Sequence, residues 1–379
     1  MPHGQTTLLL LFLCGAAAKC AAGSGYYGGD DFARVEKIDA HVHVHGPADH
    51  LMAQAARDGF RLLTINVDYP DFPPLARQRA DAVSLRERYP GRVAFAGTFS
   101  VQGFPSRDWE QAARADIETA QAQGAVGIKI WKNIGMSLQD AAGHYVMPDD
   151  PRLRPLIELV EARHLVLLGH QAEPLNCWLP PQRMTVRSDR EYFAAHPRYY
   201  MYEHPGMPSH ASILAARDRM LRAHPGLDFD AVHLASLEWD VDRVAAFLDQ
   251  FPNARVDLAA RMAHLEYQAA RDRARVRGFL IRYQDRVLYG SDDAYGPDDS
   301  DPQAIGQVHR DWLADWDFLT SQRRLRSADF ARSFQGLRLP RAVVDKIYRR
   351  NAEALFAGAW VAPGASEPTG AAGAGAIAR

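Results

Sequence analysis

The sequence predicts an α/β fold, specifically a (β/α)8 TIM barrel, and three observations carry that expectation. Eight short runs rich in apolar, β-branched and aromatic residues recur along the chain. Most are separated by segments with the spacing and Ala/Arg/Glu/Leu composition of amphipathic helices. The runs return every 25–40 residues or so (roughly), the rhythm of βα units building a parallel sheet. Eight units over about 300 residues suit a closed barrel better than an open doubly wound sheet. No glycine-rich phosphate fingerprint follows the first run, which lowers the case for a nucleotide-binding fold.

In chain order the expected strands are residues 35–43, 61–67, 92–99, 126–131, 165–170, 229–234, 254–258 and 286–289. Helical periodicity marks 74–89, 109–123, 152–162, 209–222 and 240–251 between them. Two connections are unusually long: 133–150 after the fourth strand and 171–208 after the fifth. Both leave the C-terminal ends of strands, where barrel enzymes place their chemistry, and loops of that length inside a domain are usually functional. An acidic turn is expected over 292–302, followed by helices over 311–320 and 341–356. Val344, Ile347, Tyr348 and Leu355 form one stripe of the last helix, suited to packing on the barrel wall.

Composition excludes several classes. A formal net charge of -2 gives no electrostatic case for nucleic acid or an anionic membrane. Residues 1–29 read as an export segment and linker, with an apolar core from Leu8 to Leu13 followed by small residues. That core is too short to span a bilayer, so no membrane span is expected in the mature chain and its location is expected to be periplasmic or secreted. Cys14 and Cys20 would leave with the segment, leaving Cys177 with no partner for a disulfide. The catalytic domain is expected over 30–360, and the Ala/Gly-rich stretch 361–379 as a disordered tail.

The chemistry-bearing residues gather at strand ends. Asp39-Ala40-His41-Val42-His43 closes the first strand. Alternation puts Asp39, His41 and His43 on one face and Ile38, Ala40 and Val42 on the other. Two imidazoles so spaced can grip one metal ion, or be half-buried histidines before a turn. The fourth strand carries Lys129 and Trp131 on one face, with Lys132 on the other parity and expected to be solvated. The fifth ends in His170, followed by Glu173; the sixth ends in His233; Arg261 lies past the seventh; and the eighth ends Tyr289-Gly290-Ser291-Asp292. Neutral imidazoles with a carboxylate suit Zn²⁺ or another divalent transition metal, with a position left open for water.

The ordered set resembles the amidohydrolase superfamily, in its branch of metal-dependent decarboxylases and lactonases. The resemblance rests on Ile38-Asp39-Ala40-His41-Val42-His43, His170, His233, Tyr289-Gly290-Ser291-Asp292 and Lys346-Ile347-Tyr348-Arg349-Arg350-Asn351-Ala352. It implies that His41, His43, His170 and Asp292 bind one divalent ion per chain, Zn²⁺ or alternatively Mn²⁺, Fe²⁺ or Co²⁺. His233 and Asp292 are then the catalytic acid/base groups. In two-metal relatives a carboxylated lysine bridges the ions, which Lys129 could supply; otherwise Lys129 contacts a substrate anion or forms an ion pair. Trp131 and Arg261 are candidate substrate contacts, and Glu173 is a candidate to orient an imidazole from behind. The expected activity is metal-dependent hydrolysis of a lactone, ester or amide, a reading that export favours. Non-oxidative decarboxylation of a small aromatic or unsaturated acid is the alternative. The partners expected are a small-molecule substrate and, as in many relatives, a second copy of the chain.

Overall fold

The computed structural model describes residues 25–296 and 302–361. The export segment through residue 24 and the tail from residue 362 lie outside the described residues. The eight expected strands are all present: β1 (Lys37–Val44), β2 (Phe60–Ile65), β3 (Val93–Thr98), β4 (Gly127–Ile130), β5 (Val166–Gly169), β6 (Phe229–Ala231), β7 (Ala254–Asp257) and β8 (Val287–Leu288). They lie side by side in chain order and pair in parallel, with registers such as Leu62↔Val93, Gly127↔Val166 and Phe229↔Ala254.

A short ninth strand, β9 (Ala294–Tyr295), lies inside the segment expected to be only an acidic turn. It pairs with β1 at His43↔Ala294. Ala40 N donates to Tyr289 O at 3.0 Å, and Asp292 N donates to His41 O at 2.8 Å. The eighth strand therefore bonds β7 on one side and β1 on the other, closing the barrel. Gly290 makes this approach feasible, because a Cβ there would sit 2.7 Å from the Cβ of His41.

Two apolar layers follow from strand alternation. Ile38, Ala40, Leu63, Ile65, Ala94, Ala96, Val166, Leu168, Val232 and Leu288 fill the barrel interior. The opposite strand faces pack against helices that include Leu75–Arg88, Arg107–Ala122, Arg154–Ala162, His210–Ala223 and Val241–Gln250, close to the bounds periodicity predicts. β1 breaks the simple rule. Its register with β2 slips between Asp39 and Val42. Ile38 and Ala40 point inward, but Val42 and Val44 point into the outer layer. Asp39 does not share a face with His41; it turns outward and accepts a hydrogen bond from Trp312 Nε1 at 2.9 Å.

The C-terminal segment does more than cover the wall. The helix Pro302–Thr320 begins well before the expected residue 311 and supplies Trp312 and Trp316 to the outer layer. Val344, Ile347 and Tyr348 also join that layer, but Leu355, Phe356 and Trp360 belong to the interior core. Trp360 Nε1 donates to Leu62 O at 3.1 Å, near the start of β2. Asn351 Nδ2 donates to Val287 O at 2.7 Å, at the start of β8. The segment thus plugs the N-terminal mouth of the barrel, leaving the C-terminal mouth open.

Above that open mouth, the connection after β5 folds over itself and includes the helix Arg187–Ala195. Asp329, from the distant C-terminal region, caps this helix by accepting from Ser188 N at 2.6 Å. No helix among the described residues is long and apolar enough to cross a membrane.

Phe356 is almost wholly buried in the floor plug, so Phe356→Ala leaves a large void beneath the strands. A loss of about 3–5 kcal/mol is expected in urea unfolding. A loss under about 1 kcal/mol would show that the floor is not a packed part of the barrel.

Candidate metal centre

The strand ends converge on a cavity of about 350 Å³ at the open mouth. His41, His43, Lys129, His170, His233 and Asp292 all line it. At its centre, Asp292 Oδ1 lies 3.2 Å from both His41 Nε2 and His43 Nε2. Metal–donor bonds of about 2.0–2.2 Å place neighbouring donors roughly 3.0–3.5 Å apart, so these three atoms have the spacing of a coordination polyhedron. Of the four residues the resemblance gives as ligands, the structure groups His41, His43 and Asp292 closely. His170 lines the same cavity outside that tight group, its ring 4.3 Å from that of His233.

The imidazoles are oriented from behind. His43 Nδ1 lies 2.8 Å from Ile65 O, and His233 Nδ1 lies 2.9 Å from Ala259 O. A carbonyl only accepts, so each ring carries its proton on Nδ1 and presents a bare Nε2. His41 Nδ1 is 2.5 Å from Asp257 Oδ2. Asp257 also accepts from His233 N at 2.6 Å, so one buried carboxylate sets both the strand-one and strand-six histidines. This is the backing that metal-ligating histidines carry. His170 Nε2 is buried with no hydrogen-bond partner, a donor atom waiting for an electrophile. Residues and backing together fit a divalent cation.

Burial and neighbours tune the charges. Burial pushes His41, His170 and His233 below the ordinary imidazole value, keeping them neutral. Asp292 keeps its carboxyl well below the usual range despite the opposing effect of burial, with the rings of His233, His41 and His43 packed around it. Lys129 is almost fully buried, its Nζ 3.2 Å from His41 Nε2. Burial brings its pKa down to about 8, against the pull of Asp292 and Asp257.

The remaining sequence candidates surround this group. Trp131 lines the cavity and packs against Tyr69, ring centres 4.9 Å apart. Arg261 also lines it, with Nη1 on Ala260 O at 2.8 Å and Nε buried without a partner. Glu173 lies beside His170, with Oε2 3.5 Å from Nε2. Lys132 corrects the expectation of a solvated side chain: it is only 4% exposed and is ion-paired with Glu173. β4 ends at Ile130, so strand parity no longer governs residue 132.

Sequence reasoning missed Asp257, although an acid inside the apolar stretch Val256-Asp257-Leu258 was a visible signal. It also missed Asp189, which lines the cavity and pairs with His264 at 3.0 Å. No periodicity announces that contact, because the partners lie 75 residues apart.

The chain belongs to the amidohydrolase family, whose model matches residues 38–358. Solved structures with similar folds include a TIM-barrel protein of Bordetella bronchiseptica, at 15% identity and a TM-score of 0.49, covering 85% of this chain and 99% of that one. A 2,6-dihydroxybenzoate decarboxylase from Rhizobium is similar at 16% identity and a TM-score of 0.46, covering 85% and 98%. A 4-oxalomesaconate hydratase from Rhodopseudomonas palustris is similar at 11% identity and 0.44, covering 84% and 95%. No curated protein sequence matches the chain.

Two predictions follow from the backing and the buried neutral rings. Asp257→Asn removes the charge behind His41, and divalent-metal affinity in chelator competition is expected to fall by about 10–100-fold. Unchanged affinity would remove Asp257 from the centre. The second concerns pH. The three buried histidines protonate near 6.5 only when the chain unfolds, so unfolding takes up protons below that value. Their contribution to stability is fully present above about pH 6.5 and is lost progressively as pH falls. The Tm of metal-free protein should therefore drop between about pH 7 and pH 5, and His233→Asn should flatten the slope. An unchanged slope in the variant would show that His233 does not titrate in this way.

Proposed function

We propose that this amidohydrolase is a metal-dependent hydrolase acting on a small carbonyl substrate, a lactone, ester or amide. The observation that carries the reading is the triad of His41 Nε2, His43 Nε2 and Asp292 Oδ1 with 3.2 Å contacts to the carboxylate, set in the floor of an aromatic-rimmed cavity. A divalent cation held there supplies Lewis acidity to a carbonyl oxygen and lowers the pKa of water toward about 7.

The chain's own groups favour deprotonating water over protonating carbon. Asp292 is ionised and His233 is neutral with its Nε2 lone pair free, so both are proton acceptors. Asp292 takes the proton of the attacking water and returns it to the leaving oxygen or nitrogen, while His233 steadies the substrate side of the same transfer. Decarboxylation instead requires a donor aimed at a carbon. The cationic donor closest to the triad, Lys129, is directed at His41 Nε2. The aromatic rings of Tyr69, Phe72, Trp131 and Tyr192 around the cavity exclude water and suit a compact, planar substrate. Arg261, with an unpartnered nitrogen, is positioned to meet a substrate anion.

A two-metal form has its own supporting observation. Lys129 is buried at the centre with its pKa brought down to about 8, which favours the neutral amine from which a carbamate forms.

The test is a turnover screen of lactones, esters, amides and hydroxybenzoates with metal-loaded protein. Hydrolysis that disappears on chelation and returns with Zn²⁺ or Mn²⁺ is expected. Asp292→Asn should lower kcat by about 10²–10⁴-fold, the usual worth of a positioned acid/base. Release of CO₂ without hydrolysis would overturn the hydrolase reading.

A further inference from the structure

The excursion after β5 brings to the cavity one charged side chain that the proposed hydrolysis leaves unused. Asp189 stands in the first turn of the helix Arg187–Ala195 and lines the cavity, although it is only 8% exposed. One of its oxygens, Oδ2, is engaged twice: it accepts from Asn176 Nδ2 at 2.7 Å and lies 3.0 Å from His264 Nε2. Asn176 is itself locked, with Nδ2 on Thr185 Oγ1 at 3.1 Å and Oδ1 accepting from Thr185 N at 3.2 Å. His264 belongs to the long helix Met262–Arg282, so these contacts fix the carboxylate between the excursion and the barrel wall.

The other oxygen, Oδ1, accepts from no protein group among the described residues. The carboxyl stays below its usual range despite the opposing effect of burial, with His264, Arg261 and Asn176 near it. It is therefore an ionised, acceptor-only group. Arg261 lines the same cavity, yet no ion pair joins it to Asp189 among the described residues. A residue that only tied the excursion to the barrel would need Oδ2 alone. An ionised oxygen left over on a cavity-lining residue needs a donor, and water supplies one until a ligand displaces it. A ligand that cannot replace that water leaves the charge unmet, which is how a polar pocket rejects an analogue lacking the matching group.

We propose that Asp189 is a specificity-determining residue, which accepts a hydrogen bond from an O–H or N–H donor on the non-reacting part of the substrate. The substrate class is then a small carbonyl compound that also carries a hydroxyl or an amine. The proposal rests on the reading of this cavity as the site of a metal-dependent hydrolase. With Arg261 placed to meet an anionic group, the connections after β5 and β7 read the substrate together.

The experiment is calorimetric titration of Zn²⁺-loaded protein with three four-carbon dicarboxylates: succinate, malate and aspartate. Each offers one carboxylate to the metal and one to Arg261. Malate adds a hydroxyl donor, aspartate an ammonium, and succinate neither. Wild-type protein is expected to bind malate or aspartate about 10–150-fold more tightly than succinate, the worth of a hydrogen bond to a charged group. The tighter of the two identifies the donor. Asp189→Asn should abolish the preference, because Asn176 and His264 hold the amide oxygen in the place of Oδ2 and leave an N–H in the place of Oδ1. His264→Gln, which alters the backing but keeps the carboxylate, should retain the preference even where it weakens all three ligands alike. Circular dichroism checks that each variant is folded. No preference in wild-type protein, or one that survives Asp189→Asn, would overturn the proposal. So would failure of all three to bind protein that holds Zn²⁺, and metal-dependent hydrolysis in the turnover screen would then stand without it. Protein that takes up no Zn²⁺ defeats both.

Discussion

The seam where β1 meets the eighth strand is the contact on which the site depends. Its backbone bonds, Ala40 N to Tyr289 O and Asp292 N to His41 O, close the barrel and place Asp292 against the two strand-one histidines in one step. Closure and chemistry therefore share the same hydrogen bonds. Gly290 permits the approach, because a side chain there would meet the Cβ of His41. The slip in β1 between Asp39 and Val42 then turns both His41 and His43 inward, while Asp39 anchors the outer helix through Trp312. An unbroken strand would have pointed Asp39 into the cavity along with them.

The site is also held in a backbone conformation that most residues avoid. Ala172, His233, Ala260 and Asp292 all have positive φ, at 70°, 60°, 53° and 71°, and each follows one of the strands β5 to β8. Such residues cost of order 1–3 kcal/mol each and persist only where the surroundings over-determine them. Here the surroundings are visible. Asp257 binds His233 N, His41 O binds Asp292 N, and Ser291 O binds Ala260 N at 3.0 Å. The strain turns each chain sharply at the mouth, so that the side chain just past the strand faces the cavity rather than continuing along the wall. The same bonds that pay for it orient the imidazoles, so the backbone and the side-chain geometry are one arrangement.

Most of the elements and candidate residues are legible in the sequence alone. Strand periodicity marked all eight barrel strands, and the histidines at their ends are in the cavity, because both depend on local pattern and on the rule that barrel chemistry gathers at one mouth. Lys132 and Asp39 depart from the sequence expectation for the opposite reason. Strand alternation fails at a residue where the strand has ended or slipped, and no local pattern signals a bulge. β9 was hidden because two residues carry too little periodicity to show. Asp257 acts through atoms contributed by β1 and β6, so its role appears only once the barrel has closed. The sequence of the floor plug predicts a wall helix because its stripe of apolar residues is the same for either packing.

The division of labour between strands and loops explains why substrate identity is harder to read than chemistry. The strand ends supply His41, His43, Lys129, His170, His233 and Asp292, whose positions follow from the barrel. The rim comes from different connections: Tyr69 and Phe72 after β2, Trp131 after β4, Tyr192 and Phe193 after β5, and Arg261 after β7. No pairing register relates these residues to one another. Lys132 links two of them, gathering Trp131 and Tyr192 with Glu173 and Tyr199 around a single buried ammonium. Removing that charge would leave Glu173 buried without a partner, a penalty large enough to loosen the excursion after β5 as a unit. One ion pair thus joins the connections after β4 and β5 at the cavity rim, and its carboxylate is the one that lies beside His170.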